Sequence, residues 1–316
     1  LTFHSQPLPK NKKLSSEVLI SIKNLCKQFN QFTAVKDLDL TVYKGDVYGF
    51  LGPNGAGKST TIRMLMGLIH PTSGTIEIYG KHLQEERSFI LSSIGAIIEK
   101  PDFYNYLSGI QNLELLNKMQ PKQASRDDLY RLLELVGLKG REKSKVKTYS
   151  QGMKQRLGFA QALMHNPDLI VLDEPTNGLD PQGVKDVRDL IIKLNREEGK
   201  TILISSHILS EIEIICNRMI IIQKGSRIVE GRVDELLNNN ELHVTFEFDN
   251  HNSVLQFITQ HPTLQSKFIE VVNNRFHFNL LNSEVASVNK LFIENGFAVK
   301  SLIPMRSLED YFLNLT

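Results

Sequence analysis

Little in the 316-residue chain would mark it for a membrane interior or an oxidising compartment. Its apolar runs stop at about six residues, against the roughly 20 that a spanning helix needs, which argues against an integral membrane protein. Cys26 and Cys216 are the only cysteines and lie far apart, which removes a disulfide scaffold and a cysteine-rich zinc site. Neither sign of charge dominates, with 37 Lys and Arg against 35 Asp and Glu. The net charge of +2 predicts no nucleic-acid footprint and no acidic disordered chain. No repeat with a period of roughly 20–50 residues is evident. The stretch Leu1–Ser16 carries Lys10, Lys12, Lys13 and two prolines but no apolar core, so a secretory signal is not expected and residues 1–17 read as a flexible tail. What is present is an ordinary globular composition, 41% hydrophobic and 23% charged, at a length suited to about two domains.

From Val18 onward, strand and helix patterns alternate, as in an α/β fold with a mainly parallel sheet. The apolar runs Val47–Leu51, Leu169–Leu172, Thr201–Ile204 and Met219–Ile222 are too short for helices and read as buried strands. Helices are expected over Lys58–Ile69, Arg126–Val136, Gly152–His165 and Gly183–Asn195. The pattern breaks at Asn238–Asn240. Beyond it, Leu242–Phe248 alternates with Val244, Phe246 and Phe248 on one face, and Arg275–Leu280 does the same with Phe276, Phe278 and Leu280. Helices over Ser253–Thr259 and Ser283–Glu294, a strand near Phe297–Leu302 and a last helix capped by Ser307 complete a small α+β module resembling a split βαβ pair. The expected organisation is a larger domain over 18–237 and an accessory domain over 238–316, the latter with five Lys and Arg against eight Asp and Glu.

The stretch Gly52-Pro53-Asn54-Gly55-Ala56-Gly57-Lys58-Ser59 satisfies G-x-x-x-x-G-K-[ST] between a strand and a helix. Glycines at this spacing let successive backbone N–H groups turn inward around phosphate oxygens. The following helix adds the partial positive charge of its N-terminus. Lys58 is expected to reach the β- and γ-phosphates, Ser59 to ligate Mg²⁺ and Thr60 to meet the α-phosphate. Asp173 and Glu174 follow the buried run Leu169–Leu172, which delivers both carboxylates to the sheet edge where α/β folds bind ligands. Asp173 is the expected metal carboxylate and Glu174 the group that polarises the attacking water. Together these residues predict nucleoside triphosphate hydrolysis.

Five motifs in order then resemble the ATP-binding cassette (ABC) ATPases over about residues 18–237. Tyr149-Ser150-Gln151-Gly152-Met153 is similar to their signature and lies 23 residues before Asp173. Asn177–Asp180 resembles the D-loop, Ser205-Ser206-His207 the switch histidine, and Phe29 the aromatic that stacks on adenine. The resemblance implies a P-loop ATPase domain with a helical signature subdomain, followed by the small α+β domain. It also implies MgATP held between Phe29 and the phosphate loop of one subunit and Ser150 and Gly152 of another, in a head-to-tail dimer with a separate transmembrane permease. No nucleic-acid partner is expected.

Two departures from the family pattern stand out. The signature lacks the usual glycine and glutamine at Gln151 and Met153 but keeps Ser150 and Gly152. At the loop where the family places a metal-sensing glutamine, this chain has Glu99, 41 residues after Lys58; Gln111 belongs to a later helical segment. A carboxylate binds Mg²⁺ more strongly than an amide but donates no hydrogen bond. Glutamate here resembles the ATPases of bacitracin-resistance and lantibiotic-immunity exporters, and the tail from Ser307 resembles that of antibiotic-export ATPases. The expectation is an exporter of a peptide antibiotic or bacteriocin, working at the cytoplasmic face of a membrane. Two alternatives remain open: a lipid, drug or ion as cargo, or a non-transport ABC ATPase. The four histidines His243, His251, His261 and His277 lack metal-ligand spacing and read as surface residues.

Overall fold

The computed structural model describes residues 16–120, 123–237, 241–249, 251–272 and 275–306. It falls into two compact units, one ending at Arg232 and the other starting at Val233. The division comes five residues before the Asn238–Asn240 break, which lies outside the described residues, as do residues 1–15 and the helix expected from Ser307.

The first unit opens with two long strands, β1 (Val18–Phe29) and β2 (Phe32–Tyr43), which pair as a hairpin with several bulges. The buried strand β3 (Val47–Leu51) follows, and α1 (Lys58–Leu65) starts after a loop of six residues. Helix α1 stops short of the expected Ile69 because Gly67 turns the chain at φ +61°. Next come β4 (Ser73–Ile78), β5 (Lys81–His82), α2 (Arg87–Ser92) and β6 (Ile94–Ile97). Three helices then pack on one another: α3 (Gly109–Asn117), α4 (Arg126–Leu135) and α5 (Gln151–Leu163). Each has a serine N-cap, in α3 and α4 completed to a capping box by Gln111 and Asp128. The unit ends with β7 (Leu169–Asp173), α6 (Pro181–Arg196), β8 (Thr201–Ser206), α7 (Leu209–Ile215), β9 (Arg218–Gln223) and β10 (Ser226–Arg232).

These strands form two sheets. One runs β10-β9-β3-β8-β7-β6, parallel throughout except for the antiparallel edge strand β10. The other, β2-β1-β4-β5, is antiparallel and is not anticipated by the short apolar runs, because β1 and β2 are half-exposed and bulged. A single core joins side chains of both sheets to Ile62, Met64 and Leu65 of α1. Helix α5 packs on β6, α6 on β8, and α7 on β3 and β8. The C-terminal ends of β3, β7 and β8 therefore lie side by side, and each leads into a loop bearing expected site residues.

A buried charge cluster ties the opposite end of β3 to β9 and β10. Asp46, fully buried, accepts from Tyr43 N (2.9 Å) and Asn217 Nδ2 (2.8 Å) and lies 3.4 Å from the Arg218 guanidinium. Arg218 also reaches Glu230 at 3.4 Å and donates to Thr41 O at 2.8 Å. Tyr48 donates to Glu230 at 2.7 Å, and burial, then the Glu230 charge, pushes its phenol well above the usual range, so it stays a donor.

The second unit runs α8 (Val233–Leu237), β11 (Glu241–Phe248), α9 (His251–Gln260), α10 (Pro262–Gln265), β12 (Phe268–Val272), β13 (Arg275–Leu281), α11 (Val285–Glu294) and β14 (Val299–Arg306). Its antiparallel sheet has the order β12-β13-β11-β14, the arrangement of a split βαβ pair. Val244, Phe246, Phe248, Phe276, Phe278 and Leu280 fill its core with Val254, Ile258 and Phe292. His243 and His277 are less open to solvent than surface residues of their type would be. They are half-buried, with ring centroids 5.0 Å apart, because neighbouring strands bring polar-face side chains close enough to cover each other. His261 is half-buried against Phe257.

Candidate nucleotide-binding and hydrolysis site

The loop between β3 and α1 is shaped by glycines that no other residue could replace without displacement. Gly57 sits at φ +109°, and a Cβ there would lie 2.6 Å from Ala34 O. A Cβ on Gly52 would lie 2.5 Å from Ile222 O. Both contacts are with backbone, so the loop is held closely between β2 and the end of β9. Pro53, Asn54, Gly55 and Ala56 form the turn, with Ala56 N donating to Pro53 O at 3.1 Å and Gly225 N to Ala56 O at 2.9 Å. Ser59 and Thr60 lie in the first turn of α1, whose N-terminus has no acidic residue to compete for an anion.

Lys58 is 5% exposed and bends back over this loop, donating to Gly52 O at 2.6 Å and to Pro53 O at 3.2 Å. Its Nζ also lies 3.1 Å from Glu174 Oε1. The other oxygen of Glu174 is 2.6 Å from His207 Nδ1. Side chains from the start of α1 and from the loops after β7 and β8 thus meet in a single line, Lys58–Glu174–His207. Glu174 occupies the left-handed region at φ +47°, which for a non-glycine residue costs about 1–3 kcal/mol. Its N–H donates to Ser205 Oγ (2.9 Å) and its carbonyl accepts from Asn177 N (3.1 Å). Ser205 Oγ in turn donates to Asp173 Oδ1 at 2.5 Å, so one hydroxyl holds the Asp173 carboxylate and the Glu174 backbone together. Ser205 is quoted in the sequence only as a neighbour of His207; its hydrogen bonding is visible only once β7 and β8 are paired.

The remaining expected residues lie outside this line. Phe29 is 45% exposed near the hairpin tip, with Lys27 Nζ 4.8 Å from its ring centroid. Ser150 caps α5 by accepting from Met153 N at 3.2 Å, and Asp180 caps α6 by accepting from Gly183 N at 3.1 Å. Gly152 faces Gly183, which places the starts of α5 and α6 side by side. Glu99 is held by a side chain of α1. It sits in the loop after β6 at φ +65° and forms an ion pair with Arg63, on the same helix as Ser59. Gln111 is engaged in the α3 capping box.

The donor set suits a hard divalent cation shared with phosphate. Among the described residues there is no cluster of three or more His, Cys, Asp or Glu able to hold a metal alone. Mg²⁺ bound together with substrate phosphates needs only one or two protein oxygens, and the Ser59 hydroxyl and Asp173 carboxylate are of that kind.

A glycine cradle, a buried lysine and a strand-end carboxylate against a histidine define a P-loop nucleotide hydrolase. Residues 35–177 match the family described as ABC transporter. The bacitracin transport ATP-binding protein BcrA of Bacillus licheniformis is 43% identical over 94% of this chain and 97% of its own length. The lantibiotic transport ATP-binding protein SrtF of Streptococcus pyogenes is 42% identical over 71% of this chain and 95% of its length. Among solved structures, one described as the ATP-binding subunit of an ABC transporter matches with a TM-score of 0.61 at 30% identity, covering 69% of this chain and 91% of that one. A dimeric ATP-binding cassette in a post-hydrolysis state with ADP and Pi matches with a TM-score of 0.61 at 26% identity, covering 68% and 99%. The chain belongs to the ABC transporter ATP-binding family and is an ATPase. No helix among the described residues is long and apolar enough to cross a membrane.

Proposed function

We infer that this chain is the ATP-hydrolysing subunit of an exporter that expels a peptide antibiotic, bacteriocin or similar amphipathic compound. The observation that supports the chemistry is the contact of Glu174 with both Lys58 and His207 at the ends of neighbouring strands. Lys58 binds the β- and γ-phosphates, the N–H groups from Gly52 to Thr60 wrap them, and Phe29 carries the adenine. Ser59 and Asp173 hold Mg²⁺, which supplies charge neutralisation to the transferring phosphoryl group. Glu174 takes up the proton of the attacking water, and His207 fixes the carboxylate that receives it. Ser150, Gly152 and Asp180 serve the nucleotide of a second copy arranged head to tail, so each site is shared between two chains. Closure and reopening of that dimer drive a separate permease at the cytoplasmic face of the membrane. Residues 238–316 are assigned to an accessory domain that follows the ATPase domain in the chain. The peptide-antibiotic cargo is supported by the near full-length similarity to BcrA and by Glu99.

The test is to copurify the permease from membranes and express both chains in a bacitracin-sensitive bacterium. Tolerance to bacitracin or a lantibiotic should rise, and Glu174→Gln should abolish the gain while ATP still binds. Unchanged tolerance with the permease confirmed present would overturn the cargo. Wild-type hydrolysis by Glu174→Gln would overturn the base.

A further inference from the structure

Beneath the line of Lys58, Glu174 and His207 lies a carboxylate that none of the expected motifs includes. Glu211 sits in the first turn of α7, four residues after His207. Its Oε2 accepts from Thr176 Oγ1 at 2.8 Å and from Ser206 Oγ at 3.1 Å. Thr176 is two residues beyond Glu174, and Ser206 immediately precedes His207. One oxygen atom thus joins the loop that carries the base to the loop that carries its histidine.

The platform under that oxygen is rigid. Ile212, next to Glu211, is fully buried against Gly49 of β3, and Leu209 and Ile215 are buried on the same helix. Ser206 is itself fixed, accepting from Ile208 N at 3.0 Å through its hydroxyl and from Gly52 N at 3.3 Å through its carbonyl. Helix α7 therefore packs on the strand that leads into the phosphate loop, and from it Glu211 reaches both loops that meet there. The start of a helix also favours its negative charge.

We propose that Glu211 is a positioning residue of the hydrolytic site, a staple that sets the contact between Glu174 and His207. The inference rests on the reading of Glu174 and His207 given above. Glu174 Oε2 and His207 Nδ1 are 2.6 Å apart, yet their backbones leave from different strands, and Glu174 sits at a φ that its own residue type disfavours. The Thr176–Glu211–Ser206 bridge holds the two loops in register, as Ser205 does from the other side through Asp173 Oδ1 and Glu174 N. Both donors to Glu211 are neutral hydroxyls that converge on one oxygen. What the position requires is an acceptor rather than a charge, and an amide oxygen provides one.

The test compares Glu211→Ala with Glu211→Gln in the full-length chain, measuring kcat and KM for ATP, trinitrophenyl-ATP affinity, and the ¹⁵N imidazole signal of His207 without nucleotide. Glu211→Ala should lower kcat by about ten- to a hundredfold, the scale of a misplacement near 1 Å, with KM and nucleotide affinity changed less than about twofold. Its His207 signal should move toward that of Glu174→Gln. Glu211→Gln should restore kcat to within about threefold and return the His207 signal. Thr176→Val and Ser206→Ala, each removing one hydroxyl, should shift kcat in the same direction by less. Equal loss in Glu211→Ala and Glu211→Gln, or an unmoved His207 signal in Glu211→Ala, overturns the staple. Undiminished turnover in Glu174→Gln instead overturns the underlying reading of the base, so the two failures are distinguishable.

Discussion

Replacing Arg218 by methionine removes a cation from the buried cluster at the far end of β3 while keeping much of its volume. The guanidinium is 14% exposed and lies 3.4 Å from Asp46, 3.4 Å from Glu230, and 4.8 Å and 5.4 Å from the rings of Tyr43 and Tyr48. After the change, Asp46 keeps only the neutral donors Tyr43 N–H and Asn217 Nδ2. Glu230 is less exposed to loss, since Tyr48 and Arg227 remain bound to it. Breaking a buried ion pair from one side costs roughly 3–5 kcal/mol, and the surviving donors place this case at the lower end, about 3 kcal/mol. At roughly 2–4 °C per kcal/mol, the first unit should melt about 6–12 °C lower. Differential scanning calorimetry should show that transition moving while the transition of the second unit stays in place. Adding Asp46→Asn should recover at least about 1 kcal/mol relative to the sum of the single changes, because the two residues are in contact. A loss below about 1 kcal/mol for Arg218→Met would mean that the pair behaves like a solvated surface bridge, and the reasoning would fail.

Gly57→Ala should cost more than Gly55→Ala, because both positions have positive φ but only Gly57 would drive its Cβ onto Ala34 O, so nucleotide affinity and melting temperature should fall further in the first. Equal losses would show that backbone strain alone decides the outcome. Burial lowers the pKa of His165, with the Lys200 charge adding a smaller push in the same direction. The unfolded state therefore takes up the proton first, and the stability this neutral ring supports is present above about pH 6.5 and fades as pH falls through the lower folded value. Urea unfolding across pH 5–7.5 should accordingly show a shallower acid limb in His165→Asn, and an unchanged slope would remove His165 from the account.

The parallel core was legible because buried strands such as Leu169–Leu172 and Thr201–Ile204 carry apolar runs on both faces, and the phosphate loop because its glycines are spaced by the ligand it serves. The antiparallel sheet of β1, β2, β4 and β5 was not, since half-exposed, bulged strands blur the period-two signal. Glu99 shows a different limit. Its place after β6 could be read from spacing, but its partner Arg63 lies 36 residues earlier and becomes a neighbour only when α1 packs beside that loop. The roles of Ser205 and Glu211 were not legible, because a serine at a strand end and a glutamate opening a helix are common, and Asp173, Glu174 and Thr176 reach them only once β7 and β8 are paired. The histidines misled in the opposite direction, because an alternating pattern gives the face of a side chain but not what covers it.

The charge cluster around Arg218 also bears on where the first unit can end. It draws on residues from Thr41 to Glu230, and only two residues separate its last member from the end of the first unit. The motor thus seals its own last strand before the chain passes Arg232. A chain cut before Glu230 would lose the acceptor of the Tyr48 hydroxyl and one of the two carboxylates on Arg218, so the first unit needs its strand β10 through that residue.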